Sequence, residues 1–123
     1  MDSYKDDRFE ITLKEGIVHI IFKKEYVDYD FVNDGILRRN EITKGHTYPL
    51  FSDFRIVKSG TREARERFAA PDGGIGVSAV AVLINSKIHK IMYNFFNSIY
   101  KAPAPAKLFT DPQKVLKWLE QYK

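Results

Sequence analysis

The chain has 123 residues, 44% of them hydrophobic and 29% charged, with a net charge of +4 and no cysteine. That length suits one compact domain and not two, and the composition is that of a globular chain rather than a disordered one. The missing cysteines exclude disulfides, thiolate metal sites and cysteine nucleophiles, and are compatible with a reducing cytoplasm.

Residues 1–8 are polar and are expected to fray. They carry no apolar stretch of the kind a secretory leader needs. Phe9, Ile11 and Leu13 then alternate with Glu10, Thr12 and Lys14, which predicts a strand with one wet face. Glu15-Gly16 makes a tight turn. Ile17 to Phe22 is apolar on both faces except at His19, so this strand is expected at the centre of a sheet. Asp28 or Asp30 caps a helix that runs to about Thr43, with Val32 and Ile36 on one face and Leu37 beside them. Gly35 weakens that helix by about 1 kcal/mol relative to alanine.

Pro49 opens a strand through Ile56, with Leu50, Phe54 and Ile56 on one face and Phe51, Asp53 and Arg55 on the other. Ser59-Gly60-Thr61 leads into a helix from about Arg62 to Ala70, where Arg62/Glu66 and Glu63/Arg67 are spaced to pair. Pro71-Asp72-Gly73-Gly74 ends it. Val80 to Ile84 reads as a short buried strand, and the apolar run around it is too short to cross a bilayer. Ser86 caps a helix whose stripe is Ile88, Ile91, Met92, Phe95 and Ile99. Pro103 and Pro105 mark an extended connector. Lys107 to Phe109 is a short strand. Asp111 caps the last helix, Pro112 fits its first turn, and Val115, Trp118, Leu119 and Tyr122 form its apolar face. The predicted order is β-β-α-β-α-β-α-β-α, a mixed, mostly parallel sheet with helices packed on it.

That order is the order of STAS domains. The stretches Ser59-Gly60-Thr61-Arg62-Glu63-Ala64-Arg65, Ser86-Lys87-Ile88 through Asn94-Phe95-Phe96, Leu108-Phe109-Thr110-Asp111 and Leu116-Lys117-Trp118-Leu119 resemble small bacterial proteins described as SpoIIAA-like or STAS/SEC14-like. The resemblance covers roughly residues 9–122 and implies a SpoIIAA-like fold. It implies no activity, because a fold does not fix a function. In the sigma-factor regulators of this fold, a serine in a motif similar to Asp-Ser-Ser-Gly-Leu is phosphorylated. Here Ser59-Gly60 matches, but Lys58 replaces the acid and Thr61 the leucine.

The candidate ligand site is Asp53, Arg55, Lys58, Ser59, Gly60, Thr61, Arg62 and Arg65, at the carboxyl end of a strand and the start of a helix. Free backbone N–H groups and nearby cations favour an anion there, whereas a plain cap with surface ion pairs is the simpler reading. Gly74-Ile75-Gly76-Val77-Ser78-Ala79 has the text of a dinucleotide fingerprint but lies before a strand, not a helix. Asp30, Asp34, Gly35 and Glu41 match calcium-loop spacing, but Val32 and Arg38-Arg39 break the ligand set. His19, His46 and His89 lack metal-ligand spacing, and His19 is expected to be a core histidine. No serine carries the G-x-S-x-G elbow. Tyr93, Phe96 and Tyr100 flank the stripe of the third helix or lie opposite it; packing under the Pro103–Pro105 connector is the simpler reading, and an exposed candidate interaction surface is the alternative.

The expectation is therefore a SpoIIAA-like α/β domain over residues 9–123, acting as a non-catalytic regulatory or protein-interaction module in the cytoplasm. Its expected partner is another protein or a second copy of itself. The alternative is a small anionic ligand, phosphate-bearing or a nucleotide, at Ser59–Thr61. No cofactor, metal or membrane span is expected. The basic residues are scattered among acids, with no run longer than Lys23-Lys24 or Arg38-Arg39, so nucleic acid is not an expected partner.

Overall fold

The computed structural model describes residues 2–85 and 104–123. The Ser86 cap, the stripe from Ile88 to Ile99, His89, Pro103 and the Tyr93, Phe96, Tyr100 surface lie outside the described residues. Strands β1 (Ser3–Lys5), β2 (Phe9–Lys14), β3 (Ile17–Phe22), β5 (Tyr48–Asp53), β7 (Val77–Leu83) and β8 (Ala106–Phe109) make one sheet in the order β1-β2-β3-β5-β7-β8. The pairings of β1 with β2 and of β2 with β3 are antiparallel, and the remaining three are parallel. Strands β4 (Tyr26–Val27) and β6 (Ser59–Gly60) form a separate parallel pair. The helices are α1 (Tyr29–Thr43), α2 (Arg62–Ala69) and α3 (Pro112–Glu120), with a 3-10 turn at Pro71–Gly74.

The sheet has a different cover on each face. Phe9, Ile11, Val18, Ile20, Phe22, Leu50, Val80 and Val82 point toward α1 and α2, where they meet Phe31, Val32, Ile36, Ala64 and Phe68. Ile17, Ala79, Ala81, Leu83 and Phe109 point the other way and meet Val115, Trp118 and Leu119 of α3 and Tyr122 just after it. The pleat assigns the faces by alternation, with one interruption. The register between β5 and β7 shifts between Tyr48 and Leu50. Val77 and Val80, three residues apart, therefore both belong to the α1 side.

Local chemistry explains the element ends. Asp28, not Asp30, caps α1 by accepting the Phe31 N–H at 2.9 Å. Thr61 caps α2 through the Ala64 N–H at 3.0 Å, and Asp111 caps α3 through the Gln113 N–H at 3.0 Å. Glu15 and Gly16 both take positive φ, which closes the β2–β3 hairpin. The calcium-like spacing falls inside continuous helix α1, and the glycine fingerprint runs straight into β7.

Several expectations change. Residues 1–8 were expected to fray, yet Ser3–Lys5 adds an edge strand to β2. The cause is Asp6, whose carboxylate accepts the N–H groups of Arg8 at 2.7 Å and Phe9 at 3.1 Å and the Tyr4 hydroxyl at 2.9 Å. Arg8 also binds Asp6 at 3.0 Å and reaches Asp34 on α1 at 2.9 Å. Strand β5 ends at Asp53, not at Ile56 as its sequence suggests: Phe54 turns into the core and Ile56 is 45% exposed. Leu37 is also exposed. The fourth strand starts at Val77 instead of Val80. Arg62 pairs with Glu66 at 2.9 Å as its spacing suggests, but Arg67 turns to Asp72 at 3.0 Å and to Asn33 of α1 at 3.0 Å. Among the described residues β3 is covered fully on one face only, for Ile21 is 42% exposed and His19 is half-buried against Phe51. Burial, then the charge of Lys14, holds the His19 imidazole below its usual range.

Burial pushes the Asp6 carboxyl up, but the hydrogen bonds from Arg8, Phe9 and Tyr4 outweigh this and lower it to about 2. A depressed carboxylate stabilises the fold above its ordinary value of 3.8, and that stabilisation is lost as pH falls through about 2. Asp6→Ala is expected to cost about 1–2 kcal/mol at pH 6. The gap in melting temperature from the parent protein is expected to narrow as the pH of the melts is taken from 4 toward 2.

Candidate functional site

The eight residues singled out from the sequence fall into two self-contained groups. Asp53 ends β5 and is buried, and Arg55 folds back onto it. Asp53 accepts the Arg55 backbone N–H at 3.1 Å, its Nε at 3.0 Å and its Nη2 at 2.7 Å. These bonds raise the Arg55 guanidinium above its ordinary value. In the second group, Lys58 pairs with Glu25 at 3.2 Å, and the Lys58 and Ser59 N–H groups both donate to the Glu25 carbonyl. Ser59-Gly60 pairs with Tyr26-Val27, and the Thr61 N–H donates to the Val27 carbonyl at 3.0 Å. Arg62 is held by Glu66, and Arg65 Nη1 lies 3.5 Å from the Gly60 carbonyl. Every side-chain cation of the group thus has an intramolecular acceptor, and Thr61 occupies the helix end. An anion entering here has to displace bonds already made.

A different place in the fold holds polar side-chain atoms that have no partner among the described residues. Between the sheet and α1 lies a cavity of about 50 Å³, walled by Phe9, Ile20, Phe22, Phe31 and Ile36. A water needs about 10–15 Å³ by this measure, so the space suits a few atoms. Its polar lining includes Arg39 and Ser52, each only 5% exposed. Arg39 Nη2 donates to the Gly73 carbonyl at 2.9 Å and lies 3.5 Å from the Ile75 carbonyl. No carboxylate lies within ion-pair distance of Arg39 among the described residues, and its Nε and Nη1 have no acceptor there. The Ser52 hydroxyl likewise has no partner among them. Burial, then the neighbouring Arg67, pushes the Arg39 guanidinium down to about 10, with Asp72 acting in the opposite sense. At neutral pH it remains a cation.

The local sequence explains how the cation comes to be inside. Along α1 the residues Val32, Ile36, Arg39 and Thr43 follow helical spacing, so Arg39 occupies a core position of the stripe. The 3-10 turn closes over it and is pinned twice, by Arg39 through Gly73 and by Arg67 through both Asp72 oxygens at 3.0 Å. A Cβ on Gly73 would lie 3.1 Å from the Phe68 carbonyl, so the close approach of turn to helix depends on glycine here. The stripe through Val32 and Ile36 continues at Arg39 rather than at the adjacent Leu37, which is exposed. Extending the same spacing by three residues lands on Arg39, and a basic residue at a core position was the available signal.

Comparison with known proteins fits this geometry to a fold. No curated protein matches the chain. Among solved structures, it is similar to an uncharacterised protein of the DUF3478 family from Shewanella loihica, which has a SpoIIAA-like fold. The TM-score is 0.65 at 14% identity, with 90% of this chain and 91% of that one covered. The fold is therefore SpoIIAA-like, with a mixed, mostly parallel sheet. Among the described residues no helix is long and apolar enough to cross a membrane. The family described as Domain of unknown function (DUF7793) matches residues 11–123, and the chain belongs to that family.

Proposed function

We propose that this protein is a non-catalytic regulatory module of the cytoplasm that binds a small molecule in the cavity between the sheet and α1. The observation that carries the reading is the pairing of apolar walls with two buried polar groups, Arg39 and Ser52, that keep spare hydrogen-bonding capacity. Ligand pockets have this character: mostly apolar, with a few placed polar groups that fix orientation. A guanidinium and a hydroxyl hold a ligand; neither is a base at neutral pH. In this reading, occupancy sets the position of α1 and the 3-10 turn, and a protein partner or second copy senses it. Tyr26, 57% exposed and in register with Ser59, offers a surface for that contact.

Thermal melts against a panel of small apolar compounds, charged and neutral, test the reading. A ligand present at ten times its dissociation constant adds about 1.4 kcal/mol, or roughly 4–6 °C for a chain of this size. At least one compound of this size is expected to give that shift and to perturb amide resonances of Ile36 and Gly73. A panel with no shift removes the cavity as a binding site.

A further inference from the structure

We propose that the ligand of this cavity is a short-chain monocarboxylate, its carboxylate on Arg39 and its carbon chain against Phe22 and Phe31. The assignment rests on the cavity reading above and adds the ligand class. Charge points to an anion. A buried cation without a counter-ion is among the most expensive arrangements in a protein interior, and Arg39 has only backbone carbonyls as acceptors among the described residues. Its Nε and Nη1 leave three N–H donors for an incoming acceptor. A carboxylate engages the guanidinium fork through Nη2 together with Nε or Nη1, displacing the long 3.5 Å contact of Nη2 to the Ile75 carbonyl, and the Ser52 hydroxyl is available as a further donor.

Number of charges separates a monocarboxylate from a phosphate. Among the described residues the cavity lining includes one cation, Arg39, and the other lining residues are chiefly aromatic and aliphatic. A dianion would leave one charge uncompensated in an apolar enclosure. Size separates a short chain from a long one. A volume of about 50 Å³ admits a few carbon atoms beyond the head group and not an extended acyl chain. Phe22 and Phe31 stack with ring centroids 5.5 Å apart, a flat apolar wall for such a chain.

The experiment titrates the full chain with sodium butyrate, with its neutral isostere butyramide, with sodium octanoate and with inorganic phosphate, followed by calorimetry and amide spectra. Butyrate is expected to bind saturably, at least about tenfold tighter than butyramide or phosphate, and tighter than octanoate. Arg39→Met is expected to remove the preference for butyrate over butyramide. Arg39→Lys, which keeps the charge without the planar fork, is expected to weaken butyrate by about tenfold. Circular dichroism checks that each variant folds, and the comparison of the four compounds on the parent protein needs no variant at all. Equal binding of butyrate and butyramide overturns the carboxylate assignment and leaves the cavity reading standing. Preferred binding of phosphate or octanoate overturns the ligand class in the same way. If none of the four binds, the carboxylate assignment is overturned, and the cavity reading is decided separately by the wider panel of melts.

Discussion

Phe22→Ala is expected to destabilise the protein by about 3–5 kcal/mol. Phe22 is buried at the end of β3 and sits at the centre of a ring cluster. Its centroid lies 4.4 Å from Phe54, 5.5 Å from Phe31 and 6.4 Å from Phe68. It therefore ties the sheet to α1, to α2 and to the segment after β5 together. Truncation removes the transfer energy of the ring and also leaves a hole that three stiff aromatic neighbours cannot fill. The hole adjoins the ligand cavity, because Phe22 already walls it. Urea unfolding checks the size of the loss: the midpoint should fall with the slope unchanged. At a temperature where the variant is folded, its enlarged cavity should accept octanoate better than the parent does. A loss below about 1 kcal/mol would mean the ring cluster is not packed as described.

Leu119→Ala tests the opposite face and is expected to cost about 2–5 kcal/mol. Leu119 is fully buried on α3 and packs with Val115 over Ala79, Ala81 and Leu83 of β7. The small residues of β7 let the helix approach the sheet closely, so there is little side chain on the strand side that could move into the space. The same urea measurement applies. Butyrate affinity is expected to stay unchanged in the folded variant, because α3 contributes nothing to the cavity wall. The two truncations thus separate stability from binding: both lower the midpoint, and only Phe22→Ala alters which ligand fits. A change in ligand preference from Leu119→Ala would show that the two faces of the sheet are coupled.

The legible parts of this chain are those decided within a few residues. The β2–β3 hairpin follows from alternation on either side of Glu15-Gly16, and the Asp111 cap with Pro112 behind it marks the start of α3. The apolar face of α3 follows from Val115, Trp118 and Leu119, with Tyr122 packing just past its end. Resemblance of several short stretches carried the reading from element order to a SpoIIAA-like fold, which the structural comparison shows. The candidate site was less legible. Asp53 ends β5 and the Ser59–Arg65 stretch lies before and at the start of α2, but Arg55, read as part of the strand, lies in the turn after it. Their charges, however, are taken up by Asp53, Glu25 and Glu66, by the Gly60 carbonyl and by the Thr61 cap.

Sequence alone determined the strands and helices whose hydrophobic period and caps act over one to four positions, because those interactions form wherever that stretch of chain is placed. Tertiary structure alone decided that Arg39 lies buried beside an apolar cavity, that Arg67 leaves Glu63 for Asp72 and Asn33, and that Ser3–Lys5 joins the sheet. Each of these depends on partners that folding brings together. The Gly73 carbonyl lies 34 residues from Arg39 and Asn33 lies 34 from Arg67, and a charge's environment is set by what surrounds it in space, which local periodicity does not encode.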